Sequence, residues 1–153
     1  MPKLDIAVIP EQTGTSYPTP FDQPVAARVW QRRGEAGGLT QFGVNLVRIQ
    51  PGDWSSQRHW HSHEDEFVYM VSGELILITD QGEQPMRPGD CATFPAKVAD
   101  GHHLVNRSGA VATFLAVGSR FEQDRCVYPD IDLVWEPAVD AFTRRDGTVY
   151  PPK

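Results

Sequence analysis

Glycine and proline set the limits on what this chain can fold into. Thirteen of each are spread through 153 residues, so a turn-forming residue recurs about every ten positions. Proline lacks a backbone N–H and glycine weakens a helix interior, which leaves little room for helices between them. Short apolar runs bounded by turn residues predict instead an all-β fold of short strands. Strands are expected at 25–31, 42–50, 56–61, 66–71, 74–79, 91–94, 102–106 and 111–117. Turns are expected at Pro51-Gly52-Asp53, Ser72-Gly73, Asp80-Gln81-Gly82, Arg87-Pro88-Gly89-Asp90 and Arg107-Ser108-Gly109. Both faces of 66–71 are largely apolar, which predicts a strand covered on both sides. Residues 1–24 and 119–153 are broken by prolines such as Pro18, Pro20, Pro129 and Pro151. They are expected as extended arms, the second with a helical turn near 139–142. The expected organisation is an N-terminal arm (1–24), a strand-rich domain (25–118) and a C-terminal arm (119–153) that packs on that domain or on a partner.

Charge and hydropathy exclude several classes of partner. The net charge of -6 argues against nucleic acid, which calls for a basic face. No apolar run approaches the roughly 20 residues of a membrane span, and Met1-Pro2-Lys3-Leu4-Asp5 lacks a secretory pattern. A cytoplasmic protein is expected, with Cys91 and Cys126 as two reduced thiols.

Chemistry concentrates in His59-Trp60-His61-Ser62-His63-Glu64-Asp65-Glu66. Alternate residues of a strand share a face, so His59, His61 and His63 can converge. A turn between His61 and Glu66 lets the carboxylate of the next strand face the same interior. The chain's other two histidines are His102 and His103. Imidazoles and a carboxylate from two separated segments are the donors a divalent metal needs. Arg48, Arg58 and Arg87 are expected at the surface. Trp54, Trp60, Tyr69 and Phe94 are expected to pack, and Asp130 and Asp132 to cap turns.

These residues resemble the two motifs of the cupin superfamily. Gly52, His59, His61, Glu66 and Gly73 are similar to G-x5-H-x-H-x3-4-E-x6-G, with six residues rather than five after the opening glycine. Gly89, Pro95, His102 and Asn106 are similar to G-x5-P-x-G-x2-H-x3-N. There Lys97 stands at the glycine position, and two extra residues precede His102. The resemblance implies a double-stranded β-helix (jelly-roll) barrel over 25–118, with extended N- and C-terminal arms. It implies one divalent metal ion (Fe, Mn, Ni, Cu or Zn) held by His59, His61, Glu66 and His102. His63 and His103 are alternative ligands. Asn106 is expected to orient the site or the adjoining turn, and cupins imply a homodimer by analogy.

Three histidines and one carboxylate leave about two positions open on a six-coordinate metal. The residual positive charge favours a small anionic ligand. The expected walls, Val68, Met70 and Leu104, are apolar and offer few proton-transfer groups. This favours a metal-dependent dioxygenase of an enolisable, diol or keto-acid compound. The alternatives are a metal-assisted sugar or keto-acid isomerase and a non-enzymatic small-molecule-binding cupin.

Overall fold

A computed structural model describes residues 2–153. Its strands are β1 (Glu11–Thr13), β2 (Val29–Arg32), β3 (Phe42–Ile49), β4 (Trp60–His61), β5 (Glu66–Ser72), β6 (Leu75–Thr79) and β7 (Gly82–Met86). They continue with β8 (Cys91–Phe94), β9 (His103–Val105), β10 (Ala112–Ser119), β11 (Cys126–Tyr128), β12 (Leu133–Glu136) and β13 (Ala141–Thr143). The α-helix among the described residues, α1 (Arg33–Ala36), is a single turn. Three antiparallel sheets result, in the orders β1-β2-β3-β10-β5-β8, β7-β6-β9 and β13-β12-β11-β4. No helix among these residues is long and apolar enough to cross a membrane.

Period-two alternation builds the core. Val47 and Ile49 of β3, Val68 and Met70 of β5, and Ala112 and Phe114 of β10 meet Leu75, Leu77, Met86 and Leu104 from the three-stranded sheet. Ile49, Met70 and Leu75 are fully buried, and each stabilises the fold by about 1.5–3 kcal/mol. The first motif's closing glycine has a physical reason. Gly73 has φ 75° where β5 turns into β6, and a Cβ there would meet the Ala112 Cα and the Val111 carbonyl oxygen at 2.7 Å. Lys97, at the glycine position of the second motif, also has positive φ, 69°, and its N–H donates to the His61 carbonyl at 2.9 Å.

The terminal segments are more ordered than extended arms. β1 joins the six-stranded sheet through β2, and β11, β12 and β13 form a sheet with β4. The helical turn expected near 139–142 is a non-helical turn followed by β13. Tyr17 and Val25 pack with Cys126, Tyr128 and Leu133 in a second apolar cluster, with the Tyr17 and Tyr128 rings edge to face at 5.5 Å. The strand expected from residue 25 begins only at Val29, because Pro24 opens a 3-10 turn over Gln23–Val25. The cover expected on both faces of β5 is present on one. Phe67, Tyr69 and Val71 point outward and are exposed.

Gly73→Ala is expected to combine a left-handed backbone cost of about 1–2 kcal/mol with a steric clash. Gly52→Ala carries the backbone cost alone, since its φ is 89° with open space around it. Thermal unfolding should therefore give Gly73→Ala the lower Tm of the two, and equal values would contradict the packing described.

Candidate metal centre

The histidine segment is aligned by its neighbours more than by its own strand. Only Trp60 and His61 form β4, paired with Val127 and Cys126 of β11. Upstream, bridges join Trp54 to Val105 and His59 to His102. Five residue steps on the first side span three on the second, so Ser55 to Arg58 bulge from the ladder. The bulge ends at His59, directly opposite His102, and their rings lie 4.7 Å apart. His61 lies two residues on, with its ring 4.9 Å from that of His59.

All three rings aim Nε2 at one carboxylate oxygen. Glu66 Oε2 lies 2.6 Å from His102, 3.4 Å from His61 and 3.5 Å from His59. The opposite ring nitrogens are tied down. His59 Nδ1 donates to the Gln57 carbonyl at 2.8 Å, and His61 Nδ1 to the Asp124 carboxylate at 2.6 Å. His102 is clamped instead by Phe94, stacked at 3.6 Å and 3°, while its Nδ1 is buried without a partner. With their protons on Nδ1, neutral His59 and His61 turn bare lone pairs toward a carboxylate. That arrangement is repulsive unless a cation, a proton or a metal ion, sits among them. The donor set thus fits a divalent ion, whose identity it leaves open.

The electrostatics reflect the same crowding. Burial pushes the Glu66 carboxyl up, but its contacts with the His102, His59 and His61 rings outweigh it once those rings carry a proton on Nε2, and they hold the group well below its ordinary value. Burial disfavours charge on His61, yet Asp124 and Glu66 hold its pKa at about 10. Burial lowers the pKa of His102 despite its bond to Glu66. Asp124 was not singled out in the sequence. It lies in the segment leading into β11, and its other oxygen accepts the N–H groups of His63 and Glu64 at 2.9 and 3.2 Å. One carboxylate therefore fixes both a ring and the turn after it.

The remaining histidines stand apart from this point. His63 is exposed, its Nδ1 2.7 Å from Ser62 Oγ. His103 turns away from Glu66, donates from Nδ1 to the Ser56 carbonyl at 3.0 Å and packs edge-on to Trp54. Cys126, a buried free thiol, brings its Sγ within 4.8 Å of ring nitrogens of His59 and His61. Asn106 is fully buried, donates to the carbonyls of Ile49 and Ala110 and accepts from Ser108. It fastens the 107–110 turn to the end of β3.

The cluster opens into a cavity of about 950 Å³. Val68 and Leu104 line it. Met70 and Asn106 do not, because both point into the closed interior, where they have no exposed surface. The expected apolar wall is only one side. Thr13, Thr15, Ser16 and Tyr17 approach from the N-terminal segment, Arg28, Arg32 and Asn45 from β2 and its neighbours, and Arg120 and Lys153 from beyond β10. Arg58, expected at the surface, is largely buried away from this wall and grips Asp130 through two hydrogen bonds of 2.7 Å. That pair ties the C-terminal segment down.

Asp124→Asn keeps an acceptor for the two backbone N–H groups but sets an NH₂ against His61 Nδ1–H. Affinity for added Zn(II) or Mn(II), measured by chelator competition, is expected to fall about 10–100-fold. Unchanged affinity would show that Asp124 does not position His61 for metal.

A family model for the cupin domain matches residues 45–118. Protein SchB of Streptomyces halstedii is 28% identical over 74 residues, 48% of this chain and 51% of that protein. The match thus spans about half the length of this curated relative. The crystal structure of a sugar phosphate isomerase from a cupin superfamily, from Silicibacter pomeroyi, is 48% identical. It covers 98% of this chain and 97% of its own, with a TM-score of 0.92. A candidate sugar phosphate isomerase from Acidithiobacillus ferrooxidans is 27% identical over 93% of this chain and 91% of its own, with a TM-score of 0.76. With both motifs, the jelly-roll sheets and a relative alike over nearly its whole length, the chain belongs to the cupin superfamily.

Proposed function

We propose that this chain is a metal-dependent isomerase of a small sugar phosphate, its metal held by His59, His61, Glu66 and His102. The observation that carries this reading is a single cavity that joins the imidazole–carboxylate cluster to a wall of hydroxyl and guanidinium groups. A polyhydroxylated anion suits such a wall, and an apolar diketone or catechol would leave its donors unpaired. The Silicibacter pomeroyi protein, named as a sugar phosphate isomerase and 48% identical, supports the same reading.

A divalent ion at the cluster supplies Lewis acidity, polarising a carbonyl or hydroxyl oxygen. The chain's own residues do the rest. Val68, Phe94 and Leu104 line the cluster end of the cavity and exclude water there. Thr15, Ser55 and Ser56 offer hydroxyls that orient a sugar chain. Isomerisation also needs a base to take a proton from one carbon and return it to the next. His103 lines the cavity, and with Nδ1–H committed to Ser56 its free ring nitrogen is the lone-pair-bearing Nε2. It is our candidate for that transfer.

A dioxygenase is the second reading, favoured by the apolar patch of Val68, Phe94, Leu104, Phe114 and Ala116 on the same cavity. We also read the chain as a homodimer that covers Phe67, Tyr69 and Val71, the apolar residues exposed on the outer face of β5. A cytoplasmic location belongs to this reading and accords with the free thiol of exposed Cys91.

Metal-loaded protein incubated without oxygen with a panel of aldose and ketose phosphates should interconvert at least one pair, followed by NMR. Glu66→Ala and His102→Ala should abolish both metal retention and turnover. Substrate-dependent oxygen uptake with diketones, catechols or keto acids, and no anaerobic turnover, would favour the dioxygenase; binding without either would favour a non-catalytic cupin. Light scattering at micromolar concentration should give twice the chain mass, and a monomer would remove the dimer.

A further inference from the structure

Arg28 is a cation with no anion beside it. It follows the 3-10 turn Gln23–Val25, and its backbone N–H donates to the Val25 carbonyl at 3.3 Å. Its side chain lines the cavity. Nη1 donates to the Ser55 carbonyl at 2.6 Å, and the guanidinium lies 4.7 Å over the Trp30 ring. Nε is buried and has no acceptor. Burial lowers the pKa of the group, and the nearby polar side chains that oppose this are the neutral phenols Tyr17 and Tyr128. A guanidinium stays charged in such surroundings.

The other cations of the cavity are already paired. Arg32 meets Glu35 at 3.4 Å, Arg120 meets Glu64 at 3.7 Å and Lys153 meets Asp22 at 2.7 Å. Among the described residues no carboxylate forms an ion pair with Arg28. The contacts with Ser55 and Trp30 explain how the side chain is held. They leave most of its five N–H donors unused and its charge uncompensated. A partly desolvated, preorganised guanidinium fork is complementary to an oxyanion.

We propose that Arg28 is the phosphate receptor of this cavity, gripping the phosphate of the substrate while the reacting carbons lie toward the His59–Glu66–His102 end. This rests on the sugar phosphate isomerase reading and adds the residue that selects the phosphorylated over the neutral sugar. The hydroxyls of Ser55, Ser56 and Thr15 line the same cavity and remain for the sugar chain.

The test uses inorganic phosphate and the full chain stripped of metal by chelator, so that turnover plays no part. Calorimetric titration at fixed ionic strength should show one saturable phosphate per chain. Arg28→Gln should weaken it at least tenfold, Arg28→Lys severalfold, and Arg48→Gln, whose parent side chain pairs with Glu11 at 2.7 Å, should leave it unchanged. No saturable binding by the parent chain, or equal binding by Arg28→Gln, would overturn the proposal. Should Arg28→Gln fail to fold, equal binding by folded Arg28→Lys would do so. Arg28-dependent phosphate binding without isomerase turnover would defeat the isomerase reading alone, and turnover with Arg28-independent binding would defeat the receptor alone.

Discussion

The constraint on which the rest of the structure depends is the meeting of three imidazoles on one oxygen of Glu66. A carboxylate taken out of water is costly unless its charge is answered. Here His102 from one segment lies at hydrogen-bond distance, and His59 and His61 from another contribute once a cation, a proton or a metal ion, sits among them. Each ring must be held at a fixed angle so that all three Nε2 atoms face that one oxygen. The Gln57 carbonyl, Asp124 and the face of Phe94 perform that holding for one ring each. The bulge over Ser55 to Arg58 and the shortness of β4 are what bring those partners into register.

Around this point the chain builds two apolar clusters with different work. The first fills the closed end of the barrel with aliphatic side chains and fixes where β5 and β10 lie. The second, rich in aromatic rings, sews the terminal segments to the barrel and to each other. The cavity lies where they adjoin. Its apolar side belongs to the barrel strands and its polar side largely to residues before β3 and after β10. A cupin barrel alone would thus carry the metal-type donor set but little to recognise a substrate.

Sequence spacing made the donor set legible because strand periodicity and motif distances are local properties. The strands of the middle domain were legible for the same reason, to within a few residues. What stayed hidden was non-local. Asp124 sits more than 60 positions from His61, in a stretch with no motif. Arg28 stands in a stretch with no motif, and only the fold brings it into the cavity wall beside Ser55 and Trp30. Strand alternation puts Val68 and Met70 on one face of β5 but carries no depth: Val68 lines the cavity, while Met70 is fully buried and does not. The terminal strands were missed because proline-flanked runs of three or four residues carry too weak an alternation.

The pairing of β4 with β11 has a consequence for how the protein is made. His61 is placed by Cys126, and its ring is aimed by Asp124. The ribosome delivers His59, His61, Glu66 and His102 before either of those residues exists as chain. While synthesis is under way His61 therefore lacks the partners that place and aim its ring, whereas the Gln57 carbonyl and Phe94, which hold His59 and His102, are already in the chain. The complete imidazole–carboxylate cluster takes shape only once the last quarter of the polypeptide has emerged and folded back.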